Sequence, residues 1–383
     1  MSSALTVALV ASSFAPHIGG VETVVDRTAR QLVALGHTVE VWTVDRGERV
    51  AVGPEGVVVR YLPTPLPART GSAIWHFLRS GPQAWRRWSL AHRALRPDLL
   101  HVHCFGPNGL YALGLSLRFR TPLMVTSHGE TRADDGGAFA ESALLRGGLR
   151  CALRRAVLAT APSDYVLRDL RATYGLLGGE VVPNGVDMAI TASPEEGHRQ
   201  MGDRYFLSVG RLGRMKGFDL LLKALAIADL DVRTSLVIAG DGPEREGLAT
   251  LARELGIADR VALVGWLDRQ EVANAMAGAR AVVVPSRVEA FGIVVLEAWR
   301  SGVPVIVTAR GGASEFATDD VDCLIVDPVD AAALSAALQR LDADEALRHR
   351  LSAAGSSRYG MFSWPHVAQL YADAYGRVAR PIR

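Results

Sequence analysis

The sequence predicts an α/β protein made of two doubly wound lobes, each with a parallel sheet covered by helices. Short runs rich in β-branched residues recur at intervals of roughly 20 to 40 residues, with helix-like stretches between them. This alternation is typical of parallel strands joined by crossover helices. The length of 383 residues suits two domains better than one.

Each lobe is predicted to contain six strands. They span residues 6–10, 39–44, 57–61, 99–103, 123–127 and 157–161 in the first half, and 205–209, 235–239, 261–264, 281–285, 304–308 and 324–326 in the second. A polar stretch at 184–203, interrupted by glycine and proline, separates domains 1–185 and 200–362. The tail 364–383 contains an amphipathic helix, 364–378, expected to pack back on the first lobe. Ligand is expected between the lobes, outside the carboxyl ends of the strands.

Composition excludes several classes of protein. With 49% hydrophobic residues and 42 basic against 40 acidic ones, neither disorder nor a nucleic-acid-binding surface is indicated. Cys104, Cys151 and Cys323 lie far apart, which argues against a structural zinc and favours a reducing compartment. The apolar run at 4–11 is too short to span a membrane and reads as the first strand. We therefore expect a cytoplasmic protein.

The strongest motif of the second lobe follows the predicted strand 281–285. Glu289 and Glu297 stand eight positions apart, the first in a loop and the second about two turns into a helix. Gly292 permits close approach of a ligand, and free N–H groups at the helix start suit a phosphate or a sugar hydroxyl. Taken alone, the two carboxylates are as well explained by a helix cap and a solvated helix residue.

The loops after other predicted strands of the second lobe contain glycines and charged residues. Gly210-Arg211 and Lys216 place two cations on one loop, where they can neutralise a diphosphate, although they also fit a solvated loop. Gly240-Asp241-Gly242 forms a tight turn after the next strand. Gly265-Trp266 ends the third strand, where its backbone can face a nucleotide base or form a plain loop.

The first lobe offers weaker motifs. Gly19-Gly20 opens a helix that runs through Leu35 and can admit a diphosphate, while the absence of G-x-G-x-x-G counts against NAD. His128 ends a strand and can bond a sugar hydroxyl or remain structural. His101 and His103 alternate on the preceding strand and are interpreted as sheet or cleft-wall residues, because no third ligand supports a metal site.

Two charged stretches of the first lobe remain open to interpretation. Aromatic and basic residues interleave at 74–79 and 85–88, which can indicate membrane contact or an anionic acceptor. A packed helix pair with a solvated basic face, broken at Gly81-Pro82, is favoured instead. Acidic residues after His128, namely Asp134, Asp135 and Glu141, can face a cationic acceptor.

In this order along the chain, the motifs resemble those of the retaining glycosyltransferases of the GT-B fold, specifically the fourth sequence family. The most specific mark is Glu-x7-Glu, here Glu289 to Glu297, and Ser127-His128-Gly129 matches the family's Thr/Ser-His-Gly motif. The resemblance covers nearly the whole chain. It implies two Rossmann-like domains facing a central cleft, the first binding the acceptor and the second the nucleotide-sugar donor.

The resemblance also implies roles for individual residues. Glu297 is expected to bond the donor ribose, and Glu289 the transferred sugar. The catalytic residues it implies are His128, Glu289, Arg211 and Lys216, and the donor-binding residues are Gly20, Gly210, Arg211, Lys216, Gly240, Gly242, Gly265, Trp266, Glu289, Phe291, Gly292, Ile293 and Glu297. No Asp-x-Asp pair stands out, so neither a metal nor a cofactor beyond the nucleotide sugar is predicted.

The expected reaction is a front-face transfer of sugar from a UDP-sugar, with GDP second, to a hydroxyl of a sugar, lipid or natural-product core. An epimerase of the same fold would use paired carboxylates without an acceptor. A noncatalytic sugar-nucleotide-binding protein would keep only the phosphate loop. A dehydrogenase is disfavoured, because the first strand-helix unit lacks the acidic residue that binds ribose.

Overall fold

The computed structural model describes residues 4–17, 19–47, 56–67, 71–132 and 137–379, without the side chains of 71–74 and 76. The chain divides into two compact units. One comprises Met1–Asn184 with Trp364–Arg383, and the other comprises Gly185–Ser363. None of the described helices combines the length and the apolar character that a membrane crossing requires.

The first unit is built on a seven-stranded parallel sheet. Its strands are β1 (Thr6–Ala11), β2 (Thr38–Val44), β3 (Val58–Leu62), β4 (Leu99–His103), β5 (Leu123–Thr126), β6 (Leu158–Ala161) and β7 (Glu180–Val181). Its helices are α1 (Gly20–Ala34), α2 (Gly71–Leu95), α3 (Pro107–Phe119), α4 (Ala138–Glu141), α5 (Ala143–Arg155) and α6 (Asp164–Asp169). The strand order β3-β2-β1-β4-β5-β6-β7 reverses direction between β1 and β4, which makes this the switch point of the sheet.

The second unit is built on a six-stranded parallel sheet. Its strands are β8 (Tyr205–Val209), β9 (Ser235–Ala239), β10 (Val261–Gly265), β11 (Ala281–Val284), β12 (Val305–Thr308) and β13 (Leu324–Val326). Its helices are α7 (Pro194–Met201), α8 (Phe218–Ile227), α9 (Arg245–Glu254), α10 (Arg269–Gly278), α11 (Ile293–Arg300), α12 (Ala331–Ala343) and α13 (Glu345–Ser356). The order β10-β9-β8-β11-β12-β13 places the switch point between β8 and β11. The chain then returns to the first unit with α14 (Trp364–Val378), which packs on α1.

The strands of the second sheet, apart from the edge strand β10, contribute to two apolar layers. Along β8, Tyr205 and Leu207 belong to one buried cluster and Phe206 to the other, because side chains of a strand alternate between the faces. The same alternation recurs along β9. A sheet buried on both faces explains why these strands read as continuous apolar runs in the sequence.

All twelve predicted strands are present, with ends that differ by at most one residue from those expected. The seventh strand of the first sheet, β7, is not predicted. It consists of Glu180 and Val181 alone, both exposed, after Gly178 and Gly179. So short an edge strand produces no hydrophobic run from which it can be read.

The expected break at Gly81-Pro82 is wrong, because α2 runs through both residues. A proline inside a helix removes one backbone hydrogen bond. Here Ala84, Trp88 and Ala91 form a buried stripe that holds the helix in place, and Trp88 Nε1 donates to the carbonyl of Pro63 at 2.9 Å. Tertiary packing therefore outweighs the local preference against proline.

Candidate functional site

An ion pair stands at the switch point of the second sheet, where the loops after β8 and β11 lie side by side. Lys216 Nζ donates to Glu289 Oε2 at 2.8 Å, and Ser286 Oγ donates to the same oxygen at 3.0 Å. Arg287 N–H donates to the carbonyl of Met215 at 2.8 Å, which ties the two loops together through their backbones. The sequence motifs did not single out Ser286, although it lies three residues before Glu289.

The environment of Glu289 keeps its carboxyl group ionised. Burial raises the pKa of Glu289, but the Lys216 ammonium and hydrogen bonds from Lys216, Ser286 and the Phe291 N–H outweigh burial and leave the pKa below its ordinary value. The Glu289 backbone is fixed as well, because its N–H donates to Arg310 O at 3.1 Å and its carbonyl accepts from Gly312 N–H at 2.9 Å. The carboxylate is thus a rigid hydrogen-bond acceptor.

Glycines allow the neighbouring loops of this unit to approach at backbone distance. A Cβ on Gly240 (φ +137°) would lie 1.9 Å from Gly210 O, and one on Gly242 (φ +158°) would lie 2.6 Å from Leu212 O. A Cβ on Gly217 (φ +69°) would lie 2.1 Å from Pro285 O. Gly210 itself adopts φ +156°. These loops therefore form one surface, which a side chain at any of these three positions would push apart.

Two cations of this surface differ in how they are held. Lys216 is paired with Glu289, whereas the exposed Arg211 guanidinium has no hydrogen bond or ion pair with any residue that the structure describes. Lys216 and Lys223 are the two lysines of the chain, against forty arginines. A compact ammonium at position 216 is therefore a specific feature of a chain that otherwise uses arginine.

The start of α11 carries the remaining residues predicted beside Glu289. Gly292 caps the helix in the left-handed region (φ +99°), and Ile293 is its first residue. The Phe291 side chain is buried against Phe316, with ring centroids 4.7 Å apart, so only its backbone can serve a ligand. Phe291 and Gly292 are among the donor-binding residues that the resemblance implies, and the structure limits the contribution of Phe291 to its backbone.

Glu297 lies two turns along α11 and is half-buried. Its carboxylate accepts no hydrogen bond from any part of the chain that the structure describes. Burial raises the pKa of Glu297, while Arg300 and Arg269 partly oppose the shift. A carboxyl group without a donor and with a raised pKa is suited to accept hydrogen bonds from a ligand.

Gly265 and Trp266 end β10 next to the Gly240 turn. Gly265 adopts φ +80°, and its carbonyl accepts from Gly240 N–H at 2.7 Å. Trp266 is 58% exposed. The Gly265 backbone is thus part of the same loop surface, while the indole of Trp266 extends into solvent.

In the first unit, His128 follows β5 and is held by Glu130, which the motifs did not predict. One Glu130 oxygen accepts from Phe105 N–H at 2.8 Å, and the other accepts from His128 N–H at 2.7 Å and from Ser127 Oγ at 2.8 Å. Burial raises the pKa of Glu130, and these donors only partly oppose it. Glu130 therefore fixes the loop that carries His128.

His128 is one of three adjoining histidines. His103 Nδ1 lies 3.1 Å from His128 Nε2, and the rings of His101 and His103 lie with centroids 4.1 Å apart and planes tilted by 44°, on the same face as expected for alternate residues of one strand. His101 and His103 are fully buried, and His101 contacts Tyr375 Oη of α14 at 2.6 Å. Burial lowers the pKa of His128 to about 4, so its imidazole is neutral at pH 7.

Other predicted residues of the first unit are less constrained. Gly19 caps α1 and Gly20 is its first residue, and a Cβ on Gly20 would meet nothing within 4 Å. Open space there leaves room for a ligand. Asp134 and Asp135 lie outside the described residues, and Glu141 is exposed on α4. Within the described ranges, no group of three or more His, Cys, Asp or Glu residues is arranged to hold a metal ion.

Comparisons with known proteins agree with this architecture. A D-inositol 3-phosphate glycosyltransferase of Frankia alni is 30% identical over 95% of both chains. Two solved structures share the fold: sucrose-phosphate synthase from Thermosynechococcus elongatus (TM-score 0.82, 24% identity, 97% of this chain and 98% of that one) and Anabaena HepE in complex with UDP-glucose (TM-score 0.76, 20% identity, 97% and 99%).

Sequence models of two families together cover most of the chain. The model of glycosyltransferase family 4 matches residues 18–190, and that of the glycosyl transferases group 1 matches residues 190–358. The second match contains Lys216, Glu289 and Glu297, and the first contains His128. With the fold and the relatives, these matches establish that the chain belongs to the group 1 glycosyltransferases and is a glycosyltransferase of the GT-B fold.

Proposed function

We propose that this glycosyltransferase moves a sugar from a UDP-sugar to an acceptor hydroxyl, with retention of the anomeric configuration and without a catalytic metal. The observation that carries the proposal is the combination of Lys216, Glu289 and Arg211 on one loop surface of the second unit. A fixed cation, a fixed carboxylate and an unpaired guanidinium there suit a diphosphate and a sugar hydroxyl.

The choice of UDP rests on the comparisons. Anabaena HepE, which shares the fold, has been solved with UDP and with UDP-glucose. The relatives named D-inositol 3-phosphate glycosyltransferase make an inositol phosphate the first acceptor to test. A sugar, a lipid and a natural-product core follow as further acceptor classes.

Each donor group has a candidate partner in the second unit. Arg211 and Lys216 would bind the diphosphate together with the backbone of Gly210, Gly240 and Gly242. Glu297, whose carboxyl group has no donor from the described chain, would accept from the ribose hydroxyls. The base would lie along Gly265.

The transferred sugar would bond to Glu289 and to the backbone of Phe291, Gly292 and Ile293. Because Lys216 and Ser286 already hold Glu289, its carboxylate is better placed to accept sugar hydroxyls than to attack the anomeric carbon. For the first unit we propose that neutral His128 bonds a hydroxyl of the sugar.

In the proposed reaction, the bond between the anomeric carbon and the diphosphate oxygen breaks as the acceptor oxygen approaches from the same face. The departing phosphate oxygen takes the proton of the acceptor hydroxyl, so the products are the glycoside and protonated UDP. Arg211 and Lys216 would stabilise the charge that develops on the diphosphate. No residue of the chain forms a covalent intermediate in this scheme.

The first experiment is calorimetric titration with UDP, GDP and NAD. We expect UDP to bind most tightly and NAD not to bind. Removing a charge-assisted hydrogen bond costs about 1.5–3 kcal/mol, so Lys216→Ala and Glu297→Ala should each weaken UDP binding roughly tenfold to a hundredfold. Lys223→Ala is the matched control, since Lys223 is the other lysine and is half-exposed on α8.

Lysine acylation gives a second readout on the unmodified protein. UDP should protect Lys216 and leave Lys223 reactive, as measured by mass spectrometry of the two peptides. Binding of NAD alone, or UDP binding that neither substitution weakens, would refute the donor site. Retention is tested separately by NMR of the product anomer, and metal independence by turnover in EDTA.

A further inference from the structure

The helices on one face of the first sheet carry a charge excess that the net charge of +2 conceals. Right-handed crossovers place α1 on one face of the sheet and α2 to α6 on the other, and the acidic residues of that second group, Glu141, Asp164 and Asp169, lie on α4 and α6. α2 packs on α3, and α3 packs on α5. Together these three helices contain nine arginines and no aspartate or glutamate, namely Arg79, Arg86, Arg87, Arg93, Arg118, Arg146, Arg150, Arg154 and Arg155.

Six of these arginines make no hydrogen bond with the described residues, whereas Arg146, Arg150 and Arg155 donate to carbonyl or hydroxyl oxygens of the chain. Eight of the nine are exposed, and Arg146 is half-buried. Within the part of the chain that the structure describes, none of them forms an ion pair with a carboxylate. Many arginines elsewhere are paired with carboxylates, as Arg60 is with Glu40 at 2.6 Å and Arg287 with Asp219 at 2.6 Å. The contrast marks α2, α3 and α5 as a basic surface whose arginines are not neutralised by ion pairs within the described chain.

Large apolar side chains lie among the arginines of α2. Trp75 is 62% exposed, Leu78 65% and Leu90 52%. Trp75, Arg79, Arg86, Leu90 and Arg93 recur at helical spacing, so they form one stripe along the continuous helix.

The edges of this stripe extend the same surface onto the neighbouring helices. The Trp85 ring of α2 packs on α3, because a Cβ on Gly114 would lie 2.9 Å from the Trp85 ring. Leu117 of α3 and Leu144 of α5 are also exposed, 53% and 45%. We call the exposed side of α2, α3 and α5 the arginine face.

We propose that the arginine face docks the first unit on a bilayer rich in anionic lipid headgroups. Arginine supplies the attraction to the headgroup phosphates, and exposed tryptophan and leucine supply apolar area that inserts at the boundary with the acyl chains. A soluble polyanion would use the arginines but has no need of Trp75, Leu78 and Leu90. The arginine face belongs to the first unit and the donor loops to the second, so the proposal does not depend on the donor.

The test is sedimentation of the full chain with phosphatidylcholine vesicles, with and without added phosphatidylglycerol. We expect binding to the anionic vesicles, little binding to the neutral ones, and a decrease as salt rises. Because each basic residue near an anionic surface contributes roughly fivefold to binding, Arg86→Glu/Arg87→Glu should lower it more than about tenfold. The matched control is Arg199→Glu/Arg253→Glu, which makes the same charge change on exposed arginines of the second unit.

The apolar contribution is tested by Trp75→Ser/Leu90→Ser, which should also weaken binding to anionic vesicles. Thermal unfolding of every variant checks that the fold is retained. On the wild-type chain, brominated acyl chains should quench tryptophan fluorescence, and Trp75→Phe should reduce that quenching. Absence of binding to anionic vesicles would overturn the proposal. So would loss of binding in the arginine variant with full binding in the serine variant, which would indicate a soluble polyanion instead.

Discussion

The pair of Lys216 and Glu289 joins a 37% exposed side chain to one that is 12% exposed. Lys216→Met would leave the Glu289 carboxylate without its cation in a mostly buried position. Breaking a fully buried pair costs about 3–5 kcal/mol, and the exposure of Lys216 reduces this, so we expect a loss of roughly 1–2 kcal/mol in urea unfolding at pH 7. Lys223→Met should cost less than about 0.5 kcal/mol.

The same pair has a defined pH dependence. Because the folded-state pKa of Glu289 is below the ordinary 4.5, the stabilisation is present above that value and is lost as the pH falls through the lowered pKa. The effect of Lys216→Met should therefore shrink in acid. A double-mutant cycle with Glu289→Gln isolates the pair, and equal losses from Lys216→Met in both backgrounds would show that the ion pair contributes nothing.

The tautomer of His128 follows from the surroundings of His103. His103 Nε2 is buried and has no hydrogen-bond partner in the described structure, so a hydrogen there would be an unpaired donor. His103 should instead carry its hydrogen on Nδ1 and donate to His128 Nε2, 3.1 Å away. His128 then carries its hydrogen on Nδ1 and can donate it to a ligand oxygen.

Long-range proton–nitrogen NMR correlations of the imidazole rings check this tautomer. We expect His128 to show a protonated Nδ1 and an unprotonated Nε2, unchanged between pH 6 and 8 because burial lowers its pKa to about 4. His103→Phe removes the donor to Nε2 and should yield a mixture of tautomers. A protonated Nε2 in the wild-type chain would contradict the assignment.

The motifs identified His128 but not the groups that hold it. His103 is the last residue of β4, and His128 lies two residues beyond β5, so two neighbouring parallel strands bring them together across 25 residues of sequence. The position of both histidines at the carboxyl ends of neighbouring parallel strands could therefore have predicted their contact from the sequence. Glu130 gave none, because its bond to Phe105 N–H depends on the exact course of two loops.

At the scale of elements, the close contact between the loops after β8 and β9 predicts opposite effects of two glycine-to-alanine substitutions on the free energy of unfolding. Gly240→Ala adds a Cβ 1.9 Å from Gly210 O at φ +137°, so strain and overlap should cost roughly 2–4 kcal/mol. Gly247 lies inside α9, and a Cβ there meets nothing within 4 Å. Gly247→Ala should therefore stabilise by about 0.5–1 kcal/mol.

Urea unfolding of both alanine variants, with UDP titration alongside, measures this contrast. Gly240→Ala should also weaken UDP binding, since the displaced turn forms part of the proposed diphosphate site, whereas Gly247→Ala should not. Equal stability of the two variants would mean that the Gly240 turn can move without cost.

The elements themselves were largely predictable because each buried strand forms its own apolar run. β4 and β11 are buried at every position, and their sequences identify them without tertiary information. β7 was not predicted for the opposite reason: both of its residues are exposed, so they form no apolar run. The continuity of α2 was mispredicted because a proline such as Pro82 locally favours a helix break. The burial of Trp88 and Ala91, which outweighs this preference, depends on the folded unit and cannot be read from the local sequence.

At the scale of the whole molecule, the buried histidines are concentrated in one unit. Five histidines have pKa values lowered by burial, and all belong to the first unit: His37, His92, His101, His103 and His128. Each unit also contains one carboxyl group whose pKa is raised, Glu130 in the first and Glu297 in the second. A raised carboxyl pKa favours the folded state as the pH falls, which is the opposite of the histidine effect. Mild acid should therefore affect the two units unequally.

We expect the first unit to lose stability first as the pH falls from 7.5 to 5. A histidine whose folded pKa lies below 6.5 contributes fully above that value, and its contribution falls as the unfolded state takes up the proton. For His101, with a pKa of about 3, the loss at pH 5 is about 2 kcal/mol.

Hydrogen exchange followed by mass spectrometry measures this in each unit separately. Exchange at pH 5, corrected for its intrinsic pH dependence, should accelerate in peptides of β4 and α14 and change little in those of β8 and β11. His101→Asn should reduce the pH dependence by roughly 2 kcal/mol at pH 5, since it removes one titrating group. Equal acceleration in both units, or a pH dependence indifferent to His101→Asn, would show that buried histidines do not set the acid stability of the protein.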